Sequence, residues 1–265
     1  MELSIVVPAF NEEQRLAASL ERLGLYLASI AGGGELVVVD DGSTDGTAGI
    51  VRAYAARAPV PVRLLENGAN RGKGASVRRG LLDGRGRILL FSDADLSTPI
   101  EEAPRLLEPI RKGRLEVAIG SRAVDRSLIG RSQALARNLL GRAFNVAIRA
   151  LTGIPVHDTQ CGFKAFLAAP VRPLVEALRI EGFGFDVELL GLCAAAGLSL
   201  GEVPVPWNHV DGSKVHVLRD GVRMLRDSAA FARRLRGGAY ESALAKARAE
   251  SAAVRTSAGA GAPGA

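Results

Sequence analysis

Short apolar runs that fail to alternate constrain this chain more than any other feature of its sequence. LSIVVP (3–8), ELVVVD (35–40), VRLLE (62–66), RILLF (87–91) and EVAIG (116–120) are such runs, and GEVPVPW (201–207) is a later strand-like one. A strand with one face in water alternates apolar and polar residues, whereas a strand apolar at consecutive positions is buried on both faces. Helical patterns lie between the runs. Leu16, Leu20, Leu23 and Leu27 recur at helical spacing in the first, and Ile50, Val51 and Tyr54 mark the second. Strands covered by helices on both faces predict an α/β domain with a mostly parallel sheet. At 265 residues and 48% hydrophobic, the chain can bury one large core, alone or with an appendage.

In such sheets, ligands gather beyond the carboxyl ends of the strands. Polar clusters sit at four of those ends: PAFNE, DDGSTD, SDAD and GSR. Asp93 and Asp95 are separated only by Ala94; on extended backbone they point the same way and share a site. Like charges so close favour a cation between them, and an all-oxygen donor set suits Mg²⁺ or Mn²⁺. The competing reading makes one of them the cap of the helix after STP. Asp40 and Asp41 stand on the rim of the same crevice, able to accept hydrogen bonds from ribose or a base edge, while Gly42 to Asp45 form a turn and helix cap. ENGANRGKGAS has the spacing G-x-x-x-G-K-G, which is not that of a triphosphate loop. Gly72, Lys73 and Gly74 can meet an anion at a helix start, or simply open the helix. A basic stretch holds Arg122, Arg126, Arg131, Arg137, Arg142 and Arg149; Arg122, Arg131 and Arg137 are placed to face a phosphate.

Charge and composition narrow the partners. The 34 Lys and Arg against 28 Asp and Glu leave +6, which suits phosphate-bearing ligands or an anionic surface. Nucleic acid is not expected, since only 5% of residues are aromatic and no segment interleaves bases with stacking rings. Two cysteines make no disulfide framework and point to a reducing cytoplasm. The three histidines have no ligand spacing for zinc. MELSIVVP lacks the form of a signal peptide, and LLGLCAAAGLSLG (189–201) is shorter than the roughly 20 apolar residues of a spanning helix, so membrane contact is expected to be peripheral.

Seven segments in register, VVPAFNEE, VVVDDGSTDGT, NRGKGAS, FSDADLSTP, GSR, DTQCGFKAF and GFDVELL, resemble the family 2 glycosyltransferases. The likeness is strongest to the polyprenyl-phosphate sugar synthases of dolichyl-phosphate β-glucosyltransferase type and covers about residues 3–215. It implies a single nucleotide-sugar-binding, Rossmann-like domain of GT-A type. It implies a nucleoside pocket of Pro8, Ala9, Asn11, Glu12 and Asp40, and a metal and diphosphate motif of Asp93 and Asp95. Lys73, Arg122 and Lys214 fall among the donor-binding positions, and Arg131 and Arg137 among those gripping diphosphate or acceptor phosphate. Asp158 and Asp186 lie in acceptor-side motifs, with catalysis and a structural role both open. The implied reaction is inverting transfer of glucose from UDP-glucose to a dolichyl or other polyprenyl phosphate, at the inner face of a membrane. DTQCGFK favours this over a GDP-mannose donor, and a soluble acceptor is a further alternative.

The transferase domain is expected over 1–214, a basic amphipathic helical extension over 215–250 and a disordered tail over 251–265. The extension would set Leu218, Val222, Leu225, Ala229 and Ala232 along one stripe, with Met224, Phe231 and Leu235 beside it, opposite a row of arginines. Such a helix can lie in a membrane interface, or its apolar stripe can pack on the domain's own core with the arginines merely solvated.

Overall fold

The structure is a computed structural model that describes residues 1–122, 148–149, 151–208 and 217–260, the side chains of 217–219 and 258–260 excepted. The expected runs form strands β1 (Leu3–Ala9), β2 (Gly34–Asp40), β3 (Val62–Glu66), β4 (Ile88–Ser92), β5 (Val117–Ser121) and β7 (Leu200–Pro204). A further strand, β6 (Phe163–Leu167), comes from the motif DTQCGFKAF. The seven make one sheet in the order β3-β2-β1-β4-β6-β5-β7. Every pairing is parallel except those of β6, which runs antiparallel between β4 and β5.

Helices cover both faces: α1 (Leu16–Ala28), α2 (Thr47–Ala55), α3 (Lys73–Asp83), α4 (Ala103–Arg111), α5 (Ala168–Glu176), α6 (Phe185–Ala195), α7 (Val217–Arg236) and α8 (Glu241–Ala260). The period-2 geometry of a strand explains the unbroken apolar runs. Val6, Val37, Val39, Leu89 and Phe91 point into one core, while Ile5, Val7, Leu36, Val38 and Leu90 point into the other. Leu16, Leu20, Leu23 and Leu27 bury the inner side of α1 as their spacing predicts.

The C-terminal helices depart from expectation. Met224, Ser228, Phe231 and Ala232 are the buried residues of α7, with Leu225 and Leu235 partly covered; Val222 and Ala229, expected on the apolar stripe, are exposed. The buried face is rotated towards the bulky side chains, because Phe231 enters a space that Gly191 leaves open: a Cβ on Gly191 would lie 2.4 Å from its ring. Residues 251–260, expected to be disordered, continue α8, where Ser251 is buried and Arg255 pairs with Glu116 at 2.7 Å. Low complexity misleads there because alanine is the strongest helix former. Tyr240, Leu244 and Ala247 complete the core that α5 and α6 share.

Candidate active site

Strand register brings the polar ends together. Ala9 pairs with Asp40, and Val6 with Phe91, so the chain leaves β1, β2 and β4 at one edge. The first two ends are stitched by hydrogen bonds. The Asn11 and Glu12 amides donate to Ser43 Oγ (2.9 Å) and Thr47 Oγ1 (2.7 Å), and the Thr44 amide donates to Asn11 Oδ1 (2.8 Å). Asn11 holds φ 53° to do so. Its side chain thereby braces the loop between β2 and α2, while its neighbours Phe10 and Glu12 line the cleft. Asp41 accepts from Asn67 Nδ2 (2.8 Å) and from the amides of Arg71 (3.1 Å) and Gly72 (2.8 Å), fixing the loop that leads into α3. Gly42 (φ 74°) must be glycine, since a Cβ would meet the Ala69 backbone at 2.5 Å. Asp40 is buried; Oδ2 accepts from the Ser43 amide at 3.2 Å, and Oδ1 has no hydrogen-bond partner among the described residues.

Asp93 and Asp95 face a cleft of about 600 Å³. β4 ends at Ser92, so they share the cleft through a turn and not by alternation along a strand: the Leu96 amide donates to Asp93 O (3.2 Å), and Leu96 is held at φ 47° with its side chain buried. Neither aspartate caps the helix after STP: that helical turn begins at Ile100 behind Pro99 with no side-chain cap, and Asp95 braces the preceding turn instead. Its Oδ1 accepts from the Ser97 amide (3.0 Å), while Oδ2 looks towards Arg15 at 3.8 Å. Lys73 Nζ lies 2.6 Å from Asp93 Oδ1. Protein cations thus meet both carboxylates, and a metal is not their sole available partner. Burial favours the neutral form of Lys73, but Asp93, Asp186 and Asp95 outweigh it and raise its pKa. Gly162 touches the same carboxylate: a Cβ there would sit 1.9 Å from Asp93 Oδ2. Among the described residues no three His, Cys, Asp or Glu side chains cluster to hold a metal.

The other acids sit behind the cleft with cations of their own. Arg122 grips Asp158 through Nε (2.7 Å), a second guanidinium nitrogen (2.8 Å) and its backbone amide (3.0 Å), and lies over the Trp207 ring at 5.5 Å. Burial raises the Asp158 pKa, yet Arg122 prevails and holds it below the ordinary value. Arg122, expected to face phosphate, is committed to Asp158. Asp186 is buried in the first turn of α6 and receives Lys164 Nζ at 2.6 Å. Burial, the larger influence, still pushes its pKa up against Lys164 and Lys73. Asp158 and Asp186 are thus each buried and held by a cation, and neither is among the residues that line the cleft.

Of the residues expected at the site, Pro8, Ala9, Glu12, Asp41, Gly72, Lys73, Asp93 and Asp95 line the cleft. Arg126, Arg131, Arg137, Arg142 and Lys214 lie outside the described residues. Sequence reasoning missed Arg15, Arg71, Phe183 and the α7 residues Asp220, Arg223, Met224 and Asp227. The signal for the last group is the glycine pair in EGFGF. Gly184 admits Asp227, whose Cβ would lie 3.0 Å from a Cβ added there, so that α7 can close against the cleft.

Residues 4–174 match the family model described as glycosyl transferase family 2. The dolichyl-phosphate β-glucosyltransferase of Dictyostelium discoideum is 36% identical over 236 residues, covering 85% of this chain and 72% of that protein. The protein of the same name from Drosophila melanogaster is 37% identical over 238 residues, covering 86% and 73%. In fold, the chain is similar to glucosyl-3-phosphoglycerate synthase from Mycobacterium tuberculosis in complex with Mn²⁺, UDP-glucose and phosphoglyceric acid. The TM-score is 0.62 at 21% identity, covering 87% of this chain and 78% of that one.

Proposed function

The chain belongs to glycosyl transferase family 2 and is a glycosyltransferase, and from that premise we propose that it transfers glucose from UDP-glucose to a dolichyl or other polyprenyl phosphate, inverting the anomeric carbon. The observation that carries this reading is the 36–37% identity, over some 85% of the chain, to two proteins named for that activity. Pro8, Ala9 and Glu12 would receive the nucleoside, with Asp40 Oδ1, which has no hydrogen-bond partner among the described residues, as a buried acceptor at the neighbouring strand end. The donor diphosphate would lie against Lys73, Asp93 and Asp95.

The carboxylates fit a divalent cation, Mg²⁺ or Mn²⁺. Asp93 and Asp95 offer hard oxygen donors, Asp95 Oδ2 has its cation no nearer than 3.8 Å, and oxygens of the diphosphate and water would complete the shell. When bound, the ion neutralises the departing nucleoside diphosphate. A polyprenyl phosphate is already anionic and attacks without a strong general base. That accords with Asp158 and Asp186 each being held by a cation. Arg131, Arg137 and Lys214 are proposed as phosphate contacts on the resemblance alone.

No helix of the described residues is long and apolar enough to cross a membrane. We assign membrane contact to the outer face of α7, where Val222, Arg226, Ala229, Arg233 and Arg236 are exposed. Each arginine near an anionic surface adds about 1 kcal/mol. We propose that it works on the cytoplasmic side, peripheral to the inner face, where anionic lipid would meet these arginines.

A second reading, transfer to a soluble phosphorylated acid, draws on the fold shared with a synthase solved with phosphoglyceric acid. The test incubates the full chain and a divalent cation with UDP-glucose or GDP-mannose, each with polyprenyl phosphate or 3-phosphoglycerate. Release of UDP with formation of a glucosylated lipid is expected. Preference for GDP-mannose, or equal turnover on 3-phosphoglycerate, overturns the assignment.

A further inference from the structure

Cations line the cleft on unequal terms. Arg15 is bound by Glu12, Arg71 by Glu181 and Lys73 by Asp93, so each brings its charge already countered. Arg223 faces the same cleft from α7, is exposed, and has no ion-pair or hydrogen-bond partner among the described residues.

Its surroundings make it part of the site. The guanidinium lies over Gly182, where a Cβ would be 3.8 Å from both Nε and Cζ. Gly182 and Phe183 line the cleft beside Lys73, whose Nζ is 6.0 Å from the Phe183 ring centre. Asp220 and Asp227, three residues before and four after, share the helix face with Arg223 and line the cleft as well. Burial raises the Asp227 pKa and the charge of Arg223 works against it, so the two are coupled across the helix face without an ion pair at contact distance. Val222, the neighbouring residue, is half exposed on the side that carries Arg226 and Arg233. The first half of α7 therefore turns one side to the surroundings and the other to the DxD carboxylates.

Two anions must enter one cleft for the proposed reaction, and each needs its own compensation, because like charges a few ångströms apart repel strongly where water is excluded. Lys73, Asp93 and Asp95 serve the donor diphosphate. We propose that Arg223 binds the phosphate monoester of the acceptor as it enters the cleft, using the guanidinium fork that suits phosphate oxygens. The inference rests on a phosphate-bearing acceptor, and the lipid and the soluble acid share that chemistry.

The experiment compares the wild-type full chain with Arg223→Ala and Arg223→Lys. Polyprenyl phosphate in neutral detergent micelles, which remove any contribution from an anionic surface, is varied at saturating UDP-glucose; 3-phosphoglycerate is varied in a parallel arm. UDP affinity is measured by calorimetry. Arg223→Ala is expected to raise the acceptor KM about tenfold or more with UDP affinity unchanged. Arg223→Lys should recover part of it, keeping the charge but losing the fork. An unchanged acceptor KM overturns the proposal, and so does any loss of UDP affinity, which would assign Arg223 to the donor. Wild-type transfer to 3-phosphoglycerate and not to the lipid overturns the lipid reading alone, and the Arg223 effect is then read on that acceptor.

Discussion

Replacing Lys164 by methionine tests whether the buried pair it forms with Asp186 holds the floor of the site. The two side chains are 1% and 5% exposed, Nζ to Oδ1 is 2.6 Å, and Nζ also donates to Cys161 O at 2.5 Å. Methionine keeps much of the volume but leaves a buried carboxylate with only the charge of Lys73 acting on it from the cleft side, a change that costs about 3–5 kcal/mol at neutral pH. That is a large part of the roughly 5–15 kcal/mol that stabilises a typical domain. The pH dependence gives the prediction its sign. Asp186 already has a folded pKa raised by burial, above the ordinary 3.8. A carboxyl raised in the folded state contributes stability that is full below its unfolded pKa and is lost as pH rises through the folded one. Losing Lys164 raises that pKa further, so the deficit of Lys164→Met should be greatest at neutral pH and shrink as pH falls towards 4. Urea unfolding at pH 5 and pH 7.5 reads both. The double variant Lys164→Met/Asp186→Leu should recover most of the loss, because an apolar pair of similar volume leaves no charge behind. A deficit below about 1 kcal/mol, an equal deficit at both pH values, or a double variant no better than the single one refutes the reasoning.

Asp95→Asn should lower turnover by about a hundredfold or more while leaving the urea midpoint in place, since Asp95 is at the cleft and its turn contact to Ser97 survives in the amide; stopped-point assays of UDP release check it. Gly162→Ala places a methyl where the Asp93 carboxylate stands, 1.9 Å from Oδ2, and should raise the KM for UDP-glucose about tenfold. Tyr240→Phe removes the hydroxyl that donates to buried Glu188 at 2.5 Å and should cost about 1–3 kcal/mol in urea unfolding, with kcat unchanged.

The parallel strands were legible because burial on both faces leaves an unmistakable run, as in LVVVD of β2. β6 was hidden by Lys164, a charged residue inside a strand whose five positions are all buried. Its partner Asp186 on α6, 22 residues away, and the Cys161 carbonyl make that lysine compatible with the core. The DxD pair was legible as chemistry and misread as geometry, since the turn depends on Leu96 adopting a left-handed conformation that its residue type does not announce. The roles of Arg122, Asp158 and Asp186 were left open by their sequence because a carboxylate's function depends on which cation reaches it first, and these pairs form between segments 22 and 36 residues apart. The α7 wall went unseen for a similar reason: packing of the apolar stripe on the core was open to the sequence, but that Asp220, Arg223 and Asp227 would turn to the cleft depends on where the helix docks.

The packing of the last two helices also bears on how the chain is made. Phe231, Tyr240, Leu244 and Ala247 fill the core face laid down by α5 and α6, so that face stays open on the nascent chain until its final segment has emerged. At about 5–20 residues per second, the interval from Phe185 to Ala247 lasts a few seconds. Once β7 has followed, the emerging protein carries a complete sheet with one helical layer unfinished, an apolar surface of the kind that holdase chaperones bind. Synthesis stalled or truncated before residue 231 would yield a chain that exposes this surface permanently and is drawn into aggregation or degradation, even though all the acidic residues of the cleft edge are already in place.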